Sequence, residues 1–528
     1  MKRLIAGSSL GALLALGVAL PPRLTGQMID RTQAPNLAND GIAKSLTQEI
    51  GAGRGDLTTP DSSTFIIGRD PFRAIRRGRQ LFQRKFTRLE QQGPAVDDGA
   101  GDINSLLAIG AGLSDSCASC HGRPRGSAGA GGDVVTRPDS RDAPHLFGLG
   151  LREMLADEIT GQLRQIRGAA VAAAHVSGFP LTKRLVVKGI SYGSITAAPD
   201  GTVDTAAVEG VDPDLRVRPF FAHGQTISIR EFVVGALHGE MGLEAADPDL
   251  AKAASGGHVV TPSGMVLDGS LDKIEAAPVG NPAWDPNGNV AGNEMPTALV
   301  DYLEFYLLNY FKPAVYRQTA STRRGLHTFD QIGCASCHMQ NLLLDSDRRV
   351  ADVDTVFDQT RGNFNGLFAT ATALVAATPD ASGFPAVKTP KRQPFLVANI
   401  FTDFKRHDLG SNFYERNWDG TTQKQFLTRA LWGVGSKGVF GHDGRSINLA
   451  EVILRHGGEA QIPRDYFARL DSDKQEDVLT FLRSLVLFPP DDTASNLDPG
   501  NRDTDGYPQF GHGSIRLTAL FNDPSDHE

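Results

Sequence analysis

The N-terminus carries the longest apolar run of the sequence. Two basic residues precede an apolar stretch over residues 4–20, and two prolines end it. This order is typical of a secretory signal peptide, which we assign to residues 1–26. The alternative is a retained membrane anchor, because the run is near the lower length limit for a span and no clean Ala-x-Ala cleavage site follows. No second run of that length occurs, so we expect a mature chain without a membrane span, in the periplasm or secreted.

Two pairs of similar segments follow further along the chain. RRGRQLF at 76–82 and RRGLHTF at 323–329 have the pattern of short amphipathic helices. FFAHGQTISIREFVVGALHGEMG at 220–242 and FGHDGRSINLAEVILRHGGEA at 440–460 each predict a turn, a helix cap and an apolar helix that ends at glycine. The paired pattern predicts that the two halves of the chain share one architecture.

Between these segments the pattern changes to alternation and to turn-rich stretches. Residues 184–208 alternate around the turn Pro199-Asp200-Gly201, which predicts a β-hairpin. The Gly/Pro-rich stretch 258–289 predicts surface loop and linker, and the tail 491–528 is predicted to be extended. Carboxylates of this tail are candidate calcium ligands, although no regular calcium-loop spacing is present.

Composition and charge narrow the class of protein. A chain of 528 residues with 40% hydrophobic content can form two or three packed domains. The formal charge of −8 becomes −11 when the three basic residues of the leader are removed. A mildly acidic exported protein is a poor candidate for binding nucleic acid and a fair one for docking basic protein partners.

All four cysteines lie in two copies of the pentapeptide Cys-Ala-Ser-Cys-His. Cys-x-x-Cys-His is the attachment sequence for c-type haem: one helical turn separates two thiols that bond to the porphyrin, and the adjacent imidazole binds the iron. A redox dithiol needs no such histidine, and a zinc site needs four converging ligands. We therefore predict two covalently bound haems. Their attachment residues are Cys117, Cys120, His121, Cys334, Cys337 and His338.

The two capped helices differ at one matching position. A capping-box signal begins the first helix at Ser228, and a looser one begins the second at Asn448. Aligning the caps places His456 opposite Ala236. Imidazole from His456 would fill the second axial position of the haem at 334–338, whereas alanine would leave the other haem open to a small oxidant. The alternative reading of His456 is a favourable charge at a helix C-terminus.

Three residues of the first helix are candidates for proton transfer beside the open haem: Glu231, His238 and Glu240. Glu231 is as easily a capping residue, and His238 is turned about 200° around the helix from Ala236. Glu240 follows the helix end, where no cap requires it. The roles of further residues stay open between the haem surroundings and ordinary packing: His145, His223, His407, His442 and Trp432.

Five stretches resemble the bacterial superfamily of di-haem cytochrome c peroxidases and MauG, and within it the di-haem oxidoreductases described as peroxidases or thiol-oxidoreductase-like. They are DAPHLFGLGLREMLADEI (142–159), ISIREFVVGALHGEMGL (227–243), IGCASCHMQNL (332–342), FTDFKRHDLG (401–410) and FGHDGRSINLAEVILRHGGEA (440–460). In the superfamily the relay haem takes its distal ligand from the helix after the His-Asp-Gly turn. The peroxidases proper have methionine there and MauG has tyrosine, so His456 departs from both.

The resemblance implies a mainly α fold of two cytochrome c-like haem domains related by internal duplication, with small β-hairpin and loop insertions. The expected division is a signal peptide at 1–26, an N-terminal haem domain at 27–315, a C-terminal haem domain at 316–490 and an extended tail at 491–528. A homodimer is an option that the resemblance raises.

The leading functional hypothesis is an exported di-haem oxidoreductase. It would reduce hydrogen peroxide, or activate oxygen, at the open N-terminal haem, with electrons relayed through the bis-histidine haem from a small c-type cytochrome or cupredoxin. The alternatives are an oxygenase, as in the distantly similar rubber oxygenases, a MauG-like protein-modifying enzyme, and a pure electron-transfer cytochrome.

Overall fold

The computed structural model describes residues 46–86, 114, 116–122, 127–129, 131, 133–134, 141–245, 247–277, 295–315, 318–353, 371–417 and 419–487. The predicted signal peptide at 1–26 and the tail at 491–528, with its candidate calcium ligands, lie outside these residues. Within the described ranges, none of the helices combines the length and the apolar character that crossing a bilayer requires.

The helices of the described residues differ widely in length, from 5 to 29 residues. In chain order they are α1 (Leu46–Ile50), α2 (Ser63–Arg69), α3 (Pro71–Gln83), α4 (Cys117–His121), α5 (Leu149–Ser177), α6 (Ile229–Met241), α7 (Pro248–Ala254), α8 (Thr297–Asn309), α9 (Ala320–Gln331), α10 (Leu449–Arg455), α11 (Gln461–Arg469) and α12 (Ser472–Arg483).

The strands of the described residues are short. They are β1 (Asp133–Val134), β2 (Arg141–Asp142), β3 (Leu181–Val187), β4 (Ile190–Ala197), β5 (Val203–Asp204), β6 (His258–Val260), β7 (Val266–Asp268), β8 (Ala314–Val315), β9 (Leu342–Leu344), β10 (Ala351–Val353), β11 (Ala371–Ala373), β12 (Val375–Thr378), β13 (Val387–Pro390), β14 (Phe395–Val397), β15 (Arg406–Asp408), β16 (Glu415–Arg416), β17 (Thr422–Gln423), β18 (Gln425–Leu427) and β19 (Leu485–Val486).

The prediction of a mainly α fold is wrong. The described residues are 39% helical and 18% strand, and the fold does not show an internal duplication. Their strands form nine small sheets, of which the largest has three strands. Several partners are distant in sequence, as where β19 pairs antiparallel with β8 and β14 with β9. Because such short pairings depend on tertiary contacts, they leave little periodic signal in the sequence.

The predicted β-hairpin is present as the three-stranded sheet β3-β4-β5. Lys188 and Gly189 connect β3 to β4 with positive φ angles of 50° and 81°, as a tight two-residue hairpin turn requires. Asp200 and Gly201 form the turn between β4 and β5, where the Asp200 carboxylate accepts a hydrogen bond from the backbone N–H of Thr202 at 2.9 Å. In the stretch predicted as loop and linker, β6 and β7 instead pair as a hairpin.

Two close helix contacts confirm the helix signals at 76–82 and 323–329. Helix α3 packs on α8 at Gly78, where a Cβ atom would lie 2.1 Å from the carbonyl oxygen of Tyr302. Helix α9 packs on α12 at Gly325, where a Cβ atom would lie 2.0 Å from the carbonyl oxygen of Asp477. Each glycine therefore permits an approach that any side chain would prevent.

Buried ion pairs connect helix α6 to helix α8 and to the start of α7. The guanidinium of Arg230 is fully buried and lies 2.9 Å from the Asp301 carboxylate and 2.8 Å from that of Glu304, both on α8. Asp247, at the start of α7, lies 2.8 Å from Arg230 Nε. Removing one partner of such a group leaves an uncompensated buried charge, which costs about 3–5 kcal/mol. The network fixes helix α6, which lines the smaller of the two cavities described below.

Candidate functional site

The first Cys-Ala-Ser-Cys-His segment forms the short helix α4. Ser116 caps it by accepting a hydrogen bond from the backbone N–H of Ser119 at 3.2 Å. His121 donates its Nδ1 proton to the carbonyl oxygen of Pro144 at 2.7 Å, which leaves a lone pair on Nε2. Burial lowers the pKa of His121 to about 4, so the imidazole stays neutral. Burial also raises the pKa of the Cys117 thiol to about 12.

The second segment begins as a 3₁₀ turn over Cys334–Ser336. His338 donates its Nδ1 proton to the carbonyl oxygen of Phe401 at 3.0 Å, and burial lowers its pKa. Phe401 has a φ of 53°, in the left-handed region that side chains other than glycine disfavour. The residue whose carbonyl orients His338 therefore has a strained backbone conformation.

His456 follows the last residue of α10 and has the same arrangement. Its Nδ1 proton goes to the carbonyl oxygen of Val452 at 2.7 Å, and its ring meets that of Phe413 edge-on at 5.2 Å between centroids. Burial lowers the pKa of His456 to about 4, and proximity to His338 contributes to this shift. A neutral imidazole with Nε2 free of protons is the form that binds iron.

The three histidines line two different cavities. The larger, with about 1790 Å³ of void space that is partly open to solvent, is lined by both His338 and His456. The smaller, with about 1300 Å³, is lined by His121 and by Ala236 of helix α6. Ala236 thus lines the smaller cavity as His456 lines the larger one. Unlike His456, its side chain has no atom that could bind a metal.

The proton-transfer candidates on α6 separate into two groups. Glu240 lines the smaller cavity, whereas neither Glu231 nor His238 contributes to its lining. Glu231 accepts hydrogen bonds from the backbone N–H groups of Ile227 and Ser228, both at 3.2 Å, and so completes the capping box. Burial raises the pKa of Glu231 and lowers that of His238.

The two cavities share a wall. The residues that line both are Asp142, Pro144, His145, Arg152, Ala222 and Arg429. His145 Nε2 donates to the carbonyl oxygen of Trp432 at 2.5 Å, and burial lowers the His145 pKa to about 3. Trp432 lines the larger cavity, and its six-membered ring packs against Gly148, where a Cβ atom would lie 2.5 Å away.

Another histidine whose role the sequence left open, His407, lines the larger cavity. His407 lies between two carboxylates, with Nε2 2.9 Å from Asp403 and Nδ1 2.6 Å from Glu459. Burial lowers its pKa, but hydrogen bonds to Asp403 and Cys337 outweigh this effect and raise it to about 11. His407, Asp403 and Cys337 also place three donor atoms within 4.8 Å of one another.

A shared glutamate connects the two histidines that precede turn glycines. His223 Nε2 lies 2.6 Å from the Glu415 carboxylate, and His442 Nε2 lies 3.8 Å from the same group. The ring of His442 stacks on Phe426 at 4.2 Å between centroids. Of the two, His442 lines the larger cavity.

Sequence reasoning missed Arg152 and Arg429 of the shared wall. A signal was available, because each is a cation within an apolar segment, LFGLGLREML for Arg152 and FLTRALW for Arg429. Charged residues in such surroundings are seldom buried without a partner.

The donor set fits haem. Each cavity has one Cys-x-x-Cys pair in its wall, and beside each pair stands a histidine whose Nδ1 proton is committed to a backbone carbonyl. A committed Nδ1 proton orients the ring and presents Nε2, as metal-bound histidines require. The larger cavity offers a second such histidine.

Comparison with known proteins agrees with this assignment. Residues 346–485 match the model of the family described as "Di-haem oxidoreductase, putative peroxidase". This match confirms the resemblance to the di-haem oxidoreductases over these residues, which are about a quarter of the chain. The match supports a general role as a di-haem oxidoreductase, and hence as an enzyme, with haem as the cofactor.

The other comparisons add little. A structure of Kuenenia stuttgartiensis hydrazine synthase under xenon pressure is similar to 86% of this chain and 99% of its own, at 13% identity and a TM-score of 0.31. No curated protein matches the sequence.

Proposed function

We propose that the protein is an exported di-haem c-type oxidoreductase that reduces hydrogen peroxide, or activates oxygen, in the smaller cavity and receives electrons through the larger one. Haem in these sites would supply one-electron chemistry and, in the smaller cavity, a coordination position for the oxidant. Cys117, Cys120 and His121 would hold one haem. Cys334, Cys337, His338 and His456 would hold the other.

One observation carries the proposal: the two cavities differ in the residue that accompanies the motif histidine. His456 lines the larger cavity with its Nδ1 proton bonded to Val452, whereas Ala236 lines the smaller one. Two imidazoles suit electron transfer, while a single imidazole leaves room for a small ligand.

Proton supply is the task that we propose for Glu240. Reducing one peroxide to two waters consumes two electrons and two protons, so the smaller cavity needs a group that exchanges protons. Glu240 lines that cavity on the same helix as Ala236, one turn further along. A carboxyl group there can hold a proton and pass it to an oxygen atom of the bound oxidant.

The electron donor that we propose is a small c-type cytochrome or a cupredoxin. Four large apolar side chains are exposed on α11 and around α10, the helix that precedes His456: Ile447, Leu454, Ile462 and Tyr466, with exposed fractions of 74%, 45%, 68% and 52%. An apolar surface near the electron-accepting site suits a transient contact, and the net charge of −8 favours a basic partner.

The test is electron paramagnetic resonance of the ferric protein, first as isolated and then half-reduced, followed by titration with peroxide. We expect one high-spin signal and one low-spin bis-histidine signal, and oxidation of a reduced donor by peroxide. Two low-spin signals without a high-spin one would favour a pure electron carrier. Absence of peroxide turnover with every reduced cytochrome tried would favour an oxygenase or a protein-modifying enzyme.

A further inference from the structure

We propose that Arg152 and Arg429 form one anion site in the shared wall, which binds propionate groups of both haems. The inference rests on the proposed function in one respect, that two haems occupy the two cavities. It adds a role for two residues that belong to neither attachment motif.

Position is the first observation. Arg152 lies on α5, just after its first turn, and Arg429 lies in the loop that follows β18. Both side chains line the smaller and the larger cavity. A group bound between them would therefore be accessible from either cavity.

The contacts of Arg152 leave its charge uncompensated. It donates a hydrogen bond from Nη2 to the carbonyl oxygen of Pro219. Its guanidinium also lies 5.7 Å from the ring centroid of Phe220. In the described part of the chain no carboxylate lies within ion-pair distance of Arg152. Burial, together with the charge of Arg429, lowers the Arg152 pKa to about 9.

Among the described residues, Asp142 is the acid whose charge acts on Arg429, and it lies beyond ion-pair distance. Burial lowers the pKa of Arg429, and the charge of Asp142 opposes this shift. Asp142, however, also bonds directly to Lys437. Among the described residues that line both cavities, two arginines therefore accompany one carboxylate, that of Asp142. Of the other acids that line these cavities, Glu459 is bonded to His407, and Glu240 lies on the α6 side of the smaller cavity.

Charge balance identifies the chemistry of the missing partner. A guanidinium stays protonated in proteins, and burying it without an anion is unfavourable by several kcal/mol. Its planar fork of donors matches a carboxylate, which it binds through two parallel hydrogen bonds. Haem carries two propionate carboxylates, so two haems flanking this wall would bring the required anions from both sides.

The site would also affect redox behaviour. Reduction removes one positive charge from a ferric haem, so a nearby cation stabilises the reduced state and raises the midpoint potential. If one guanidinium pair serves both haems, removing one cation should lower both potentials. An arginine that serves one haem should change one potential only.

The experiment uses Arg152→Gln and Arg429→Gln in the full-length, haem-loaded protein, with Arg483→Gln as control because that side chain is 52% exposed. Haem content is measured first by the pyridine haemochrome method. Potentiometric titration followed by visible spectroscopy then gives both midpoint potentials. We expect both potentials to fall in each wall variant and neither to change in the control, and Arg→Lys at the same positions should restore part of the loss.

A wall variant in which only one potential moves, or neither, would overturn the proposal. Should the glutamine variants fail to accumulate, the structure of the haem-loaded wild-type protein decides. Propionate oxygens within hydrogen-bond distance of both guanidinium groups would support it, whereas propionates directed elsewhere, or a small inorganic anion between the arginines, would refute it. Fewer than two haems per wild-type chain would instead contradict the proposed function.

Discussion

His456 and His338 line the same cavity, and each donates its Nδ1 proton to a backbone carbonyl, that of Val452 for His456 and that of Phe401 for His338. This common tautomer makes two imidazoles available as neutral nitrogen ligands. The smaller cavity has a second histidine besides His121, namely His145 of the shared wall, but there Nε2 rather than Nδ1 donates to a backbone carbonyl, that of Trp432.

On the proposed function, replacing His456 by alanine should convert one haem from low spin to high spin, because one of its two imidazoles is lost. Electron paramagnetic resonance and visible spectra of the ferric protein would record the change. His238→Ala is the matched control, since His238 contributes to the lining of neither cavity. Spectra of the His456 variant that equal those of wild type would show that His456 binds no iron.

Glu240→Gln should lower kcat/KM for peroxide by about 10²–10⁴-fold, the usual contribution of a general acid–base group. Steady-state oxidation of a reduced donor gives this value. Glu231→Gln makes the same chemical change away from the cavity and keeps a side chain that can complete the capping box, so its activity should match wild type. Equal losses in both variants would contradict a role for Glu240.

Gly78→Ala and Gly325→Ala should each destabilise the protein by about 1–3 kcal/mol, because the new methyl group would collide with a backbone carbonyl of the facing helix. Gly161→Ala on α5 meets no atom within 4 Å and should instead stabilise it by about 0.4–1 kcal/mol. Urea unfolding measures all three. A neutral effect at Gly78 or Gly325 would mean that the helices are further apart than described.

His407 should make stability fall as pH rises above its ordinary pKa of 6.5. Because its pKa is raised in the folded state, the folded chain binds more protons than the unfolded chain between 6.5 and about 11. Its contribution is therefore complete below 6.5 and is lost as the pH increases. The hydrogen bond between His407 and Asp403 does not involve Cys337, so it persists when that thiol is bonded to haem.

Thermal unfolding between neutral and alkaline pH tests this dependence, with His407→Gln as the variant. We expect the variant to have a lower melting temperature at neutral pH and a weaker decrease at alkaline pH. An unchanged pH slope would exclude His407 as its source.

Trp432→Phe should slow electron transfer between the haems while leaving the high-spin signal in place. Its indole Nε1 donates to the carbonyl oxygen of Ala398 at 3.3 Å, and its backbone carbonyl binds His145 of the shared wall. Rapid reduction of the half-oxidised protein would measure the rate. A wild-type rate would assign Trp432 to packing alone.

Local features of the sequence were predictive at the site. The cap at Ser228 accepts a hydrogen bond from the Glu231 backbone at 3.1 Å, and that at Asn448 accepts one from Glu451 at 2.8 Å. Both depend on residues three positions apart, so the sequence contains all the information. The alignment of the two caps places His456 and Ala236 at matching positions, and in the structure they line different cavities.

Tertiary features were not predictable in the same way. The pairing of β8 with β19 joins Val315 to Leu485, and no local pattern specifies that partner. The shared wall likewise combines a helix residue, Arg152, with a loop residue, Arg429, far along the chain. The family resemblance implied a mainly α fold, and the sequence offered little to correct it, because short strands of this kind are set by their neighbours in space.

The raised pKa of the Cys117 thiol has a consequence for biogenesis. With its pKa raised to about 12, this thiol is almost never a thiolate in the closed fold at neutral pH. On the proposed function, the cysteines would therefore be joined to the porphyrin before the exported polypeptide has folded. The maturation machinery would act on an unfolded chain, which would then fold around its haems.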